Sequence, residues 1–162
     1  MPRSDNQVQI TPSVLDRLID YEPKLSREPV ASRYKSLRQL KQSVRRDLEW
    51  LLNTRQEITE ISPDMKELRN SLAVYGLKDF STENVKGQKG QNRLRQAIET
   101  AVTTFEPRLD RVRVNLLPMR QAERALSFRI DARLKVEPAP EPVTFDTVLQ
   151  LATGQYLVKE DE

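Results

Sequence analysis

The chain has 162 residues, with 27 basic against 24 acidic side chains, a formal net charge of +3, 37% hydrophobic and 31% charged content. That size suits one ordinary domain with a patterned core, and so even a charge balance does not require nucleic acid as the partner. The absence of cysteine and histidine excludes disulfides, thiolate chemistry, the commonest zinc ligand and the commonest acid–base side chain together.

The N-terminus lacks the apolar core of a signal peptide, and no run approaches the roughly 20 apolar residues that span a bilayer. A soluble, cytoplasmic protein that is not membrane-spanning is therefore expected. Residues 1–10 are polar and read as mobile. Thr11-Pro12-Ser13 reads as a helix start, and Val14, Leu15, Leu18 and Ile19 continue a short helix to about Asp20. Pro23 and Pro29 among charged residues mark 21–32 as a linker. Residues 1–32 thus read as an appended arm, ahead of a single domain over 33–159 and an acidic tail at 160–162.

The longest helical pattern runs from Ser32 or Arg33 to Thr54, with Leu37, Leu40, Val44, Leu48, Leu51 and Leu52 as its apolar stripe and Trp50 at the margin. Arg33, Lys35, Arg38, Lys41, Arg45 and Arg46 stand on it without an intervening acid. This face reads as a solvated surface whose long side chains cover apolar area, or as a docking face for an acidic protein. Nucleic acid fits it less well, because no aromatic residues interleave with the charges. Residues 55–65 form a connection, Ser62 and Pro63 start a further helix through Leu68, Leu72 and Tyr75, and Gly76 ends it as a left-handed cap. Leu77 and Phe80 are expected to fold back on the core. Residues 81–91 hold two glycines and read as a flexible surface loop.

From Gln91 onward, Leu94, Ala97, Ile98, Ala101, Val102 and Phe105 share one helical face. Pro107 stops that helix, since it has no N–H and disfavours the α region for Glu106. Val112, Val114 and Leu116 then alternate with Arg111, Arg113 and Asn115, the period of a strand with one wet face. Pro118 to Glu123 read as a turn. Leu126, Phe128, Ile130, Ala132, Leu134 and Val136 make the clearest strand of the chain. Pro138, Pro140 and Pro142 break it in a stiff connection, and strands follow at 143–149 and 154–159, with a turn at Ala152-Thr153-Gly154. Helices first and closely linked strands after predict an α+β fold, with helices packed on one face of a mainly antiparallel sheet. The two C-terminal strands are the expected edge of that sheet.

The candidate site is the corner Glu106-Pro107-Arg108. Catalysis there is disfavoured: a glycosidase needs two carboxyl groups, one with a raised pKa, whereas the neighbouring Arg108 favours ionised Glu106. There is no nucleophile–base pair, no phosphate-cradling glycine pattern and no calcium-loop spacing, so no cofactor or metal is expected. The corner reads either as a helix terminator with an internal salt bridge or as a rigid recognition element. In the second case Glu106 accepts hydrogen bonds from a partner, Arg108 makes a bidentate contact and Pro107 holds both still.

Several stretches carry a family resemblance: Ser36-Leu37-Arg38 through Arg45-Arg46-Asp47-Leu48-Glu49 to Leu52-Asn53-Thr54-Arg55; Ser71-Leu72 with Tyr75-Gly76-Leu77 and Asp79-Phe80-Ser81; Phe105-Glu106-Pro107-Arg108-Leu109; Phe128-Arg129-Ile130; and Val143 with Phe145-Asp146-Thr147. Their order and spacing over about residues 33 to 159 resemble the TssE family of type VI secretion baseplate subunits. That family belongs with the baseplate wedge proteins of contractile-tailed phages, which are sometimes labelled lysozyme-like. The resemblance implies a structural protein without hydrolytic activity, similar to the handshake domain of the contractile sheath. It implies wedge partners TssF, TssG and TssK, sheath partners TssB and TssC, and a cytoplasmic place in a baseplate docked at the inner face of the inner membrane. It also implies that Glu106, Pro107 and Arg108 contact the helical core of the wedge, and that the protein templates sheath polymerisation. The alternative that the label suggests is a peptidoglycan hydrolase.

Overall fold

A computed structural model describes residues 10, 12–19, 33–58, 61–62, 64–80, 87–117 and 125–160. The expectations for residues 1–9 and 21–32, Pro63, the loop at 81–86, the turn at 118–123 and the last two residues lie outside the described set. Helices precede strands, and the fold is α+β as the order of patterns predicted: α1 (Val14–Leu18), α2 (Arg33–Asn53), α3 (Lys66–Arg69), α4 (Gln88–Phe105), then β1 (Leu109–Leu116), β2 (Ala125–Leu134), β3 (Glu141–Gln150) and β4 (Gln155–Glu160). The strands form one antiparallel sheet in the order β1-β2-β3-β4.

Alternation places Leu126, Phe128, Ile130, Ala132 and Leu134 of β2 on one face with Val143, Phe145 and Leu149 of β3 and Tyr156 and Val158 of β4. Onto that face pack the predicted stripes, Val44, Leu48, Leu51 and Leu52 of α2 and Leu94, Ile98, Ala101 and Val102 of α4. Phe128 and Tyr156 meet edge to face at 6.1 Å, and burial pushes the Tyr156 hydroxyl up to about 12. The opposite face is polar and laced across strands: Arg133 grips Asp110, Arg129 grips Asp146, and Asp131 accepts from both Asn115 and Thr144.

Four expectations are corrected. The helix predicted from Pro63 to Gly76 is only α3 and a separate 3-10 turn, Leu72–Val74, with Leu72 left 82% exposed. A four-residue helix with one apolar residue has no stripe to bury, so the chain bends instead. Gly76 does take a positive φ, +106°, but it serves a crossing rather than a helix cap: Leu77 donates to Thr54 C=O at 2.9 Å and accepts from Gln56 N–H at 2.8 Å. The loop predicted over 81–91 ends early, because α4 starts at Gln88 on Gly87 and buries Gly90 in its first turn. Finally, the strand predicted at 143–149 as part of the sheet edge is interior, paired to β2 and β4 on its two sides, and it begins at Glu141 with Pro142 inside it. The edges are β1 and β4.

Both edges carry side-chain caps. The Asn53 amide accepts from Tyr156 N–H and donates to Tyr156 C=O, each at 2.9 Å, and Arg45 donates to Val158 C=O at 3.0 Å. On β1 a single cap stands out: Val114 N–H donates to Glu99 Oε1 of α4 at 2.9 Å. These are peptide groups that point away from the neighbouring strand, and satisfying them blunts an edge against chance pairing.

Candidate partner-docking site

α4 ends where Pro107 ends it. Glu106 N–H still donates to Val102 C=O at 2.9 Å, and Glu106 itself leaves helical geometry at φ −116°, ψ 81°. Leu109 N–H closes back on Glu106 C=O at 3.1 Å, and β1 starts there. The far end of β2 ties the corner down from the other side: Lys135 N–H donates to Arg108 C=O and Lys135 Nζ to Pro107 C=O, both at 2.8 Å. Pro107 is left exposed at the tip.

Glu106 is 4% exposed. Its carboxylate takes Arg108 Nε at 2.7 Å on one oxygen and Arg108 NH2 at 2.5 Å on the other, a two-pronged grip within three residues. The Arg108 N–H adds a third bond at 3.2 Å. The same guanidinium reaches α2, donating to Asp47 Oδ2 at 2.6 Å and to Ser43 Oγ at 3.0 Å. Burial alone lowers the Arg108 pKa, but the hydrogen bonds and charges of Glu106, then Asp47, outweigh it and hold the pKa well above its ordinary value. The side chain is therefore a permanent cation in a fixed pose.

The network continues. The Ser43 hydroxyl donates to Asp16 Oδ2 of α1 at 2.6 Å, Arg46 donates to the other oxygen of Asp16 at 2.9 Å, and Arg46 also bonds Asp47 Oδ1 at 3.0 and 2.9 Å. Three carboxylates thus share two guanidiniums around one hydroxyl, and Arg46 lies over the Trp50 ring at 5.0 Å. Burial works to raise the Asp16 pKa, yet bonds from Ser13, Ser43 and Arg46 bring it below the usual carboxylate value. The nearby Tyr75 hydroxyl is pushed up by burial and then by the Asp47 and Glu106 charges.

Of the sequence-derived candidates, Glu106, Pro107 and Arg108 come together as a corner that grips itself, with Pro107 outermost. Ser43, Asp47 and Asp16 were missed. A signal existed for two of them: Leu40, Ser43, Asp47 and Leu51 follow helical spacing, so a polar pair sits at the margin of an apolar stripe. Of the basic face on α2, Arg45 and Arg46 are engaged within the chain. Chemically the arrangement can hold charge still; both oxygens of Glu106 are already taken up. Among the described residues no helix is long and apolar enough to cross a membrane.

Residues 38–139 match the family model described as baseplate wedge protein gp25. A search of curated proteins finds no match to the chain.

Proposed function

This chain belongs to the baseplate wedge protein gp25 family, and from that premise we propose that it is a wedge subunit of a type VI secretion baseplate which joins the wedge core to the contractile sheath and templates sheath polymerisation. Membership supports a structural role in a baseplate. The observation that supports the reading is the extent of the match: residues 38–139 take in most of α2, all of α4, the corner and the first two strands, and Arg108 ties that corner to α2 through Asp47.

In this reading Glu106, Pro107 and Arg108 are the corner that seats the TssF and TssG core, with TssK as the further wedge neighbour. Glu106 works from inside by fixing Arg108, while Pro107 and the outer part of Arg108 form the contact. A pre-fixed contact loses little conformational entropy on binding. The sheath subunits TssB and TssC join at the sheet by strand addition. Among the described residues three outward peptide groups of β4 are capped against one on β1, which favours β1 as the strand that receives the sheath. The place of action is the cytoplasmic side of the inner membrane, with no cofactor and no hydrolysis of cell wall.

Two experiments test this. Arg108→Ala, at a temperature where circular dichroism shows it folded, should lower recovery of the other wedge subunits in a pull-down at least tenfold; full recovery by the folded variant defeats the corner. Leu116 pairs with Phe128 at a position whose N–H, like that of Val114, points away from β2. Leu116→Pro should therefore keep the fold by circular dichroism and stop sheath assembly; normal sheaths would remove β1 as the template. A turbidity assay on purified peptidoglycan with wild type and Glu106→Gln should show no clearing by either.

A further inference from the structure

α1 is docked the wrong way round for an amphipathic helix. It buries none of its residues; Val14 and Leu18 are 74% and 77% exposed, and Leu15 also faces out. Among the described residues its hydrogen bonds to the rest of the domain run through Asp16, with Ser43 and Arg46 as partners on α2. A short helix anchored through one carboxylate, with no apolar burial, belongs to the least stable layer of a fold and opens without disturbing the core.

The surface beneath it is specific. Ser43 is buried, and its oxygen accepts from Arg108. Its proton must therefore go to an acceptor, and Asp16 is that acceptor. One guanidinium N–H of Arg46 points at the same carboxylate. If α1 leaves, the Ser43 hydroxyl and one N–H of Arg46 lose their acceptor side by side, while Arg46 keeps its bonds to Asp47. The group that satisfies both is another carboxylate.

We propose that Asp16 is a placeholder, and that a carboxylate side chain of the partner seated at the corner replaces it on Ser43 and Arg46 while α1 swings away. This rests on the reading of Glu106-Pro107-Arg108 as a partner-seating corner and adds the chemistry of the partner and the device that regulates access. Val14, Leu15 and Leu18 are exposed even while α1 is docked, and release lets the helix carry them to another surface of the assembly. Until a partner arrives, the site is satisfied from within, which suppresses contact with stray acidic surfaces.

The test uses the full chain and the wedge subunits recovered with it. Asp16→Ala removes the competitor and should raise apparent affinity several-fold, and adding Arg46→Gln to that variant should abolish the gain. The chain has no cysteine, so Val14→Cys with Gln42→Cys gives two clean spin-label sites. Their separation should lengthen on addition of the wedge subunits. Unchanged or weaker binding by Asp16→Ala, or a label separation that stays the same in the complex, overturns the placeholder. If Arg108→Ala weakens binding while Asp16→Ala does not alter it, the corner stands and only the placeholder falls. If Arg108→Ala changes nothing, both fall.

Discussion

The side-chain amide of Asn53, the last residue of α2, holds both peptide groups of Tyr156, N–H and C=O, at 2.9 Å each. A side chain here does what a neighbouring strand would do. Asn53→Ala should cost about 1–3 kcal/mol, since two peptide groups lose partners beside a buried ring. Hydrogen exchange should show the Tyr156 amide losing protection before the rest of β4, and the variant should self-associate more readily at high concentration. An amide that stays protected would mean that the cap is incidental.

The Glu106–Arg108 grip gives an ordered pair of stabilities. Arg108→Ala leaves a buried carboxylate without its cation and should cost about 3–5 kcal/mol. Glu106→Gln keeps the shape and one acceptor, so it should cost less, about 1–3 kcal/mol. Urea unfolding with an unchanged slope checks the order through the midpoints. Equal costs would show that Arg108 acts by packing alone.

Gly76 is a position that no side chain can share. At φ +106° an added Cβ would also run into the Thr54 carbonyl. Gly76→Ala should lose about 2–4 kcal/mol from strain and clash together. It should also unpair Leu77 from Thr54 and Gln56, visible as faster exchange at the Leu77 amide.

Much of this was written in period. The stripes of α2 and α4 and the alternation of β2 need only local spacing, and they were legible because each element buries one face on the same core. The corner itself was legible as a break between two periods. Its wiring was not: Asp47 and Ser43 lie about sixty residues upstream of Arg108, and spacing carries no information across a fold. Nor was the interior place of β3 legible, because strand order depends on which backbones pair and not on which residues alternate. The segment at 66–74 misled because Leu68 and Leu72 fall at helical spacing, although Leu72 faces solvent.

The docking of α1 should depend on acid. Asp16 has a lowered pKa in the folded chain, so its docked form is favoured above the ordinary carboxylate value and is lost as pH falls through the folded value. The groups facing it are Ser13, Ser43 and Arg46, with Asp47 and Arg108 behind them. The chain has one tryptophan, Trp50, stacked under Arg46. Its fluorescence should change in a step below about pH 3.8, before circular dichroism is lost, and Asp16→Ala should abolish that step.

β1 slips by one place between Asp110 and Arg113, where Arg111 takes φ +51°. Two residues there stand opposite Ala132 alone, which lets Leu109 and Val114 both face inward although an odd number of positions separates them. Removal of Arg111 would restore a regular ladder with the same apolar residues in phase. The slip leaves the pairing intact on its corner side: Leu109 and Asp110 still face Leu134 and Arg133, and Lys135 still holds the carbonyls of Arg108 and Pro107. The exposed proline is therefore fastened to the end of β2 and moves only with the sheet.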